Sequence, residues 1–145
     1  MIPAHLQFLQ YQMKSIVHLP TLFEYYAAIH LTKQLQTQFY VYRDIPDSHK
    51  MNAGFPIHDK GIDVIDSTLQ HIVQVKYYKK HGTIYYGNLS TFLASPILVG
   101  RKHLQLTLVR TQHSWLHPEI QNIVDRGDMK DVTLCPKQFL QAIKR

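Results

Sequence analysis

Hydrophobic residues recur along this chain at two spacings, and the changes between them divide it into helices and strands. Leu6, Leu9, Met13, Ile16 and Val17 lie at helical intervals. Pro3 suits a first turn, where a missing N–H costs nothing. This predicts a first helix that ends before Pro20. A second helix is expected from Thr21, with Leu22, Tyr25, Tyr26, Ile29 and Leu35 among its apolar positions. FYVYR, residues 39–43, reads as a strand. Asp44 to Lys60, with Pro46, Gly54 and Pro56, reads as a loop long enough to be functional or mobile. From Gly61 to Tyr78 the period changes to two, and the Val/Ile-rich runs predict two half-buried strands. Asn88 is placed to cap a short helix over Leu89 to Ser95, and Leu104 to Val109 reads as a strand. Pro118 opens a helix ending near Gly127, Val132 to Leu134 is a short strand, and Pro136 opens the last helix. Strand, helix and strand over about residues 72–109 imply a right-handed parallel crossover, so the fold class is α/β.

The two adjoining strands carry polar residues that a half-buried sheet does not hold cheaply. Asp63 sits between Ile62 and Val64, where aspartate is disfavoured. Gln74, Val75 and Lys76 follow on the next strand. An acid and a lysine so placed are costly unless paired, bound to a metal or engaged in chemistry. If Ser67-Thr68-Leu69-Gln70 is a four-residue hairpin loop, Asp66 faces His71 and Asp63 falls opposite Gln74. Their Cβ atoms would then be roughly 4.5–5.5 Å apart. Lys76, two residues on, points to the same face. A slip of one residue would destroy this arrangement.

Composition narrows the classes. A chain of 145 residues with 45% hydrophobic content reads as one domain, 1–145, with an N-terminal helical extension over 1–19 and a core over 20–145. No apolar run approaches the length of a membrane span, and the N-terminus lacks the charged start and apolar segment of a signal peptide. Cys135 is the only cysteine, which excludes an internal disulfide and a cysteine-based zinc site. The expected setting is intracellular and reducing. No phosphate-binding loop is present. The net charge is +6, and its distribution is uneven. From Ser67 to Pro118 there is no Asp or Glu, while Lys76, Lys79, Lys80, Arg101, Lys102 and Arg110 lie within that interval. A basic middle beside an acidic site suits a polyanion brought to a metal; a solvated basic face is the alternative.

The stretches GID, residues 61–63, and QVK, residues 74–76, resemble the two-strand D-x(n)-(D/E/Q)-x-K signature of the PD-(D/E)xK nuclease superfamily, in the wording of its Mrr-like branch. The resemblance extends over about residues 19–143. It implies a restriction-endonuclease-like fold, a mixed central β-sheet flanked by helices, and DNA phosphodiester hydrolysis with Mg2+ or Mn2+. Asp63, Gln74, Lys76 and Glu24 would be the catalytic set. Asp63, the Val75 carbonyl, Gln74 and Glu24 would serve the metal. Ile62 stands where the family has proline, and Gln74 where it usually has an acid; Gln74 and the two readings of Glu24, metal ligand or helix cap, keep a non-catalytic nucleic-acid-binding module open as the rival. So do a homodimer and an assembly domain fused or bound to a helicase.

Each residue also has a structural reading. Thr21 to Glu24 fits a capping box in which Glu24 bonds the helix start. Lys76 could pair with Asp63. Asp59 and Asp66 read as loop and turn residues, with Asp59 open as an outer participant. Tyr77, Tyr78, Lys79, Lys80, His81, Tyr85 and Tyr86 could hold DNA by phosphate contacts and stacking, together with Arg101 and Lys102, or the tyrosines could pack on the sheet. His113 and His117 read as surface or loop histidines.

Overall fold

The computed structural model describes residues 1–58 and 61–143; Asp59 lies outside them. Its centre is a five-stranded mixed sheet in the order β1-β2-β3-β5-β7. β1 (Phe39–Val41), β2 (Val64–Asp66) and β3 (His71–Lys76) form an antiparallel meander, as short turns allow. β5 (Gln105–Thr111) and β7 (Lys130–Leu134) run parallel to β3. Parallel neighbours need long crossovers. These are supplied by α4 (Tyr86–Leu93) with α5 (Ser95–Leu98), and by α6 (Pro118–Asp125). β4 (Thr83–Ile84) and β6 (Trp115–Leu116) form a small separate parallel pair.

Two apolar layers enclose the sheet. On one face α1 (Ala4–Gln12), α2 (Leu19–Leu35) and α7 (Pro136–Ala142) bring Phe8, Leu22, Phe23, Leu31 and Phe139 against Val41, Val64, Val73, Val75 and Val109. On the other, Ile65, Ile72 and Leu108 pack with Ile84, Leu89, Phe92, Ile120 and Met129. Because strand side chains alternate, this partition fixes directions on β3. Val73 and Val75 face α2, while Ile72, Gln74 and Lys76 face the α4 and α6 side.

Several boundaries depart from the sequence pattern. α2 begins at Leu19, with Pro20 in its first turn, and ends at Leu35, followed by the C-cap Gln36 in the left-handed region at φ 54°. It lies between α1 and the sheet, so its apolar residues do not form one stripe. The expected apolar face of α1 is not the buried one. Ala4, Gln7 and Phe8 are buried, whereas Leu6, Leu9 and Val17 are exposed and Met13 and Ile16 are 85% and 83% exposed. The helix stops at Gln12, so the last three of those residues never join its face. After Val41 the chain enters a 3-10 turn over Tyr42–Asp44 instead of extending the strand. The following loop contains α3 (Asp47–Asn52). Asn88 is not the cap of α4 but its third residue, accepting the Tyr85 N–H at 2.9 Å. Gly61 has φ +87°, and a Cβ there would sit 3.0 Å from the backbone nitrogen of Phe92 in α4. Among the described residues no helix is long and apolar enough to cross a membrane.

Candidate active site

The hairpin register follows from its loop. Asp66 closes the loop, its Oδ1 accepting the N–H groups of Gln70 at 2.9 Å and His71 at 3.0 Å. The ladder pairs Ile65 with Ile72 and Val64 with Val73, as the four-residue loop requires. At Asp63 the chain leaves the ladder. Its N–H donates to the Val73 carbonyl and its carbonyl accepts from the Tyr42 N–H, both at 2.9 Å. Its Oδ2 accepts the Val75 N–H at 2.8 Å. The carboxylate is thus fixed between the start of β2 and the end of β3 by a bond to the main chain, which no side-chain rotation in β3 can undo.

Gln74 and Lys76 follow on the same strand. Gln74 is 8% exposed, and its Oε1 has no hydrogen-bond partner among the described residues. A buried acceptor left without a donor costs about 1–3 kcal/mol, so its retention calls for a ligand or a function. Lys76 is half-buried and forms no ion pair among the described residues. The reading in which it pairs with Asp63 is not realised. Val75 gives its N–H to Asp63 and its side chain to the α2 layer, which leaves its carbonyl as its candidate contribution.

Beyond this row lies a pair that the sequence did not single out. Lys76 is in register with Arg110, and Gln74 with Leu108, which is in turn in register with Asp131. Arg110 grips Asp131 with both arms, Nε to Oδ1 at 2.8 Å and Nη2 to Oδ2 at 2.9 Å, and donates to the Ser114 carbonyl. The two side chains are only 12% and 16% exposed. The available signal was an arginine inside a strand, between Val109 and Thr111. With Arg110 matched by Asp131, the positive charge at the end of β3 that has no ion-pair partner among the described residues comes from Lys76, Lys79 and Lys80.

Glu24 does not cap its helix. Thr21 lies inside α2, and the N-cap is His18, whose ring Nδ1 shares a hydrogen bond with Thr21 Oγ1 at 3.0 Å. Glu24 instead forms a salt bridge with Arg43. Burial works against the Arg43 charge, but Glu24, with Tyr25 and Asp44, more than offsets it and raises its pKa. Arg43 follows Tyr42, the residue bonded to the Asp63 carbonyl, so α2 does bring an acid to this end of the sheet. Beside it the Tyr25 hydroxyl donates to Asp44 at 2.6 Å, and burial followed by that carboxylate pushes the phenol pKa up.

The expected DNA contacts divide. Lys79 and Lys80 are exposed just beyond β3. Tyr77 is a packing residue, its ring centroid 5.2 Å from that of Phe23 and 5.7 Å from that of Phe139. Tyr78 is partly buried against the opposite layer, with its N–H on Thr111 Oγ1 at 3.2 Å. Burial raises both phenol pKa values. Arg101 and Lys102 precede β5, at the end of the parallel strands where His71 pairs with Gln105. That is roughly 17 Å along the strands from Lys76 at about 3.3 Å per residue. Arg101 also donates to the Ala53 carbonyl at 2.7 Å and lies over the Phe55 ring. Arg101 and Lys102 therefore cannot share one short contact with Lys79 and Lys80.

Among the described residues no cluster of three or more His, Cys, Asp or Glu could hold a metal ion. The oxygens that are present still fit a hard divalent cation. Magnesium takes one or two carboxylates and fills its octahedron with water and phosphate oxygens. Asp63 supplies the carboxylate, and Gln74 Oε1 is a buried acceptor in want of a partner.

An antiparallel meander extended by two parallel strands, with an acid leaving one hairpin strand and a lysine ending the other, is the architecture of a restriction-endonuclease-like domain. The chain belongs to the restriction endonuclease family: a family model of that description, of the Mrr-like catalytic type, matches residues 30–144. The match contains Asp63, Gln74 and Lys76 and begins after Glu24. No curated protein and no solved structure matches the chain.

Proposed function

We propose that this domain is a metal-dependent DNA endonuclease. The observation that carries the reading is the unpartnered, buried Gln74 Oε1 on the strand that ends in an unpaired Lys76, next to an aspartate fixed by main-chain bonds. Asp63, Gln74 Oε1 and the Val75 carbonyl would hold Mg2+ or Mn2+. Such an ion supplies Lewis acidity at a phosphoryl oxygen and makes a bound water more acidic. The Val75 N–H keeps the Asp63 carboxylate oriented. The Lys76 ammonium meets the negative charge that grows on the phosphate as the water oxygen bonds to phosphorus and the ester P–O bond breaks. Lys79 and Lys80 hold neighbouring phosphates. Glu24 stays with Arg43, stabilising a positive charge at the rim.

The test is cleavage of plasmid and linear DNA with Mg2+ or Mn2+, with and without chelator, for the parent and Lys76→Ala. Cleavage should need the ion, and the variant should be slower by on the order of a hundredfold, the scale of one lost transition-state partner. One observation favours the rival, a nucleic-acid-binding module without catalysis: Gln74 stands where an acid would add charge. DNA binding by a protein that cuts none of these substrates with either ion would establish that rival.

A further inference from the structure

The short β4–β6 pair collects rings that the core does not use. Trp115 is 63% exposed, Tyr85 56% and Tyr86 49%. Main-chain bonds hold the pair together, the Trp115 N–H to the Gly82 carbonyl at 2.8 Å and the His117 N–H to the Ile84 carbonyl at 2.9 Å. The rings then fall into contact. His81 lies 5.9 Å from Trp115 and 5.7 Å from His113, and Tyr85 lies 5.3 Å from His117, centroid to centroid. His81 Nδ1 donates to the His113 carbonyl at 3.0 Å, which fixes the first group. These residues are distant in sequence, so the cluster is a product of the fold.

Charge and position indicate what it meets. Lys79 and Lys80 lead directly into it, and no acid occurs from Ser67 to Pro118. Glu119, whose Oε2 lies 3.8 Å from His117 Nδ1, bounds it on one side. Arg110 anchors the turn before Trp115 through the Ser114 carbonyl. Trp115 is five residues beyond Arg110, so their Cα atoms are at most about 18 Å apart. Arg110 neighbours Lys76 across β3 and β5. Adding the strand spacing of about 4.8 Å between Arg110 and Lys76, the cluster is within about seven stacked nucleotides of the candidate active site, at roughly 3.4 Å each.

We propose that this ring cluster is a stacking platform for unpaired bases, and that the DNA taken by the site carries a single-stranded segment beside the point of cutting. Within a duplex the base faces are already stacked, so exposed rings gain little from it. An unpaired base offers its face to any ring without regard to sequence. The inference rests on the nuclease reading for the identity of the substrate, but binding can be tested apart from cleavage.

Trp115 is the only tryptophan, so its fluorescence reports on this place alone. The full chain would be titrated, in chelator, with oligothymidine and with a blunt duplex of equal length. Fluorescence would be read alongside anisotropy of labelled DNA. Saturable quenching by the single strand, and little by the duplex, is expected. Trp115→Ala and Tyr85→Ala, both at exposed rings, should each weaken single-strand binding on the order of tenfold and leave duplex binding and the salt dependence unchanged. Neutralising Lys79 and Lys80 should instead flatten the salt dependence. Single-strand binding without quenching, or equal losses on both DNA forms, would overturn the platform. Metal-dependent cleavage with no quenching would reject the platform and keep the nuclease. Quenching without cleavage on any substrate would keep the platform and reject the nuclease.

Discussion

Replacing Gln74 with methionine separates the cost of the site from its use. Methionine has a similar length and no acceptor. In the ion-free parent the buried Oε1 lacks a donor, a penalty of about 1–3 kcal/mol. Imperfect packing of the thioether should return part of that gain. The net expectation without metal is a stabilisation of about 1 kcal/mol, or a melting temperature higher by about 3–4 °C for a domain of this size. With metal the order should reverse. An ion at a hundred times its dissociation constant stabilises the folded parent by about 2.7 kcal/mol. The variant, short of one oxygen ligand, should gain distinctly less at the same concentration. Thermal melts in chelator and across a magnesium series, with calorimetric titration of the ion, measure both arms. A variant less stable than the parent in chelator would mean that the amide is already satisfied. Equal gains from magnesium would mean that Gln74 does not meet the ion. Either result refutes the placement of the site on β3.

Asp63→Asn retains an acceptor for the Val75 N–H, so it should melt within about 1 kcal/mol of the parent yet lose metal binding and cleavage; Asp63→Ala should also lose about 1–3 kcal/mol, because that buried donor is stranded. Removing one side of the Arg110–Asp131 pair, as in Asp131→Asn or Arg110→Met, should destabilise by about 2–4 kcal/mol in denaturant titrations. The double variant should lose less than the sum of the two. His71 is buried, with its Nε2 2.6 Å from Thr107 Oγ1. Burial first, and Lys130 in addition, lower its pKa against the opposing pull of Asp66. A base whose folded pKa lies below the ordinary 6.5 leaves the folded state with fewer protons than the unfolded one. Stability should therefore fall as pH drops below about 6.5. His71→Gln should show a shallower fall over that window, and identical slopes in the two proteins would exclude His71 as a contributor.

The sequence carried the hairpin further than the rest of the fold. Its register needs only a loop length and a period of two, both local, and the pairs Ile65–Ile72 and Val64–Val73 follow from them. The departure of Asp63 from the ladder was not legible, because it depends on Tyr42 and Val75 taking its main-chain and carboxylate bonds. Glu24 had a local explanation, the capping box, which failed when α2 started at Leu19 and Arg43 arrived from the end of β1. Tyr77 and Tyr78 read equally well as packing or DNA-facing residues, since the deciding partners, Phe23, Phe139 and Thr111, lie tens of residues away. Arg101 and Lys102 belonged to one basic interval in sequence but to the far end of the strands in space. The β4–β6 pair is two residues per strand, too short for any periodicity to announce it.

Gly61 gives the molecule a fixed length scale. Its close approach to Phe92 leaves no room for a side chain, so the strand entry at Asp63 and the body of α4 cannot slide past one another. α4 begins beside Tyr85, and its eight residues span about 12 Å at 1.5 Å per residue. A base seated on Tyr85 would be separated from the carboxylate by a stiff rod braced at its far end. On the proposed function and platform, the domain would then act as a ruler, in which the offset between the gripped base and the severed bond would be set by the length of a helix.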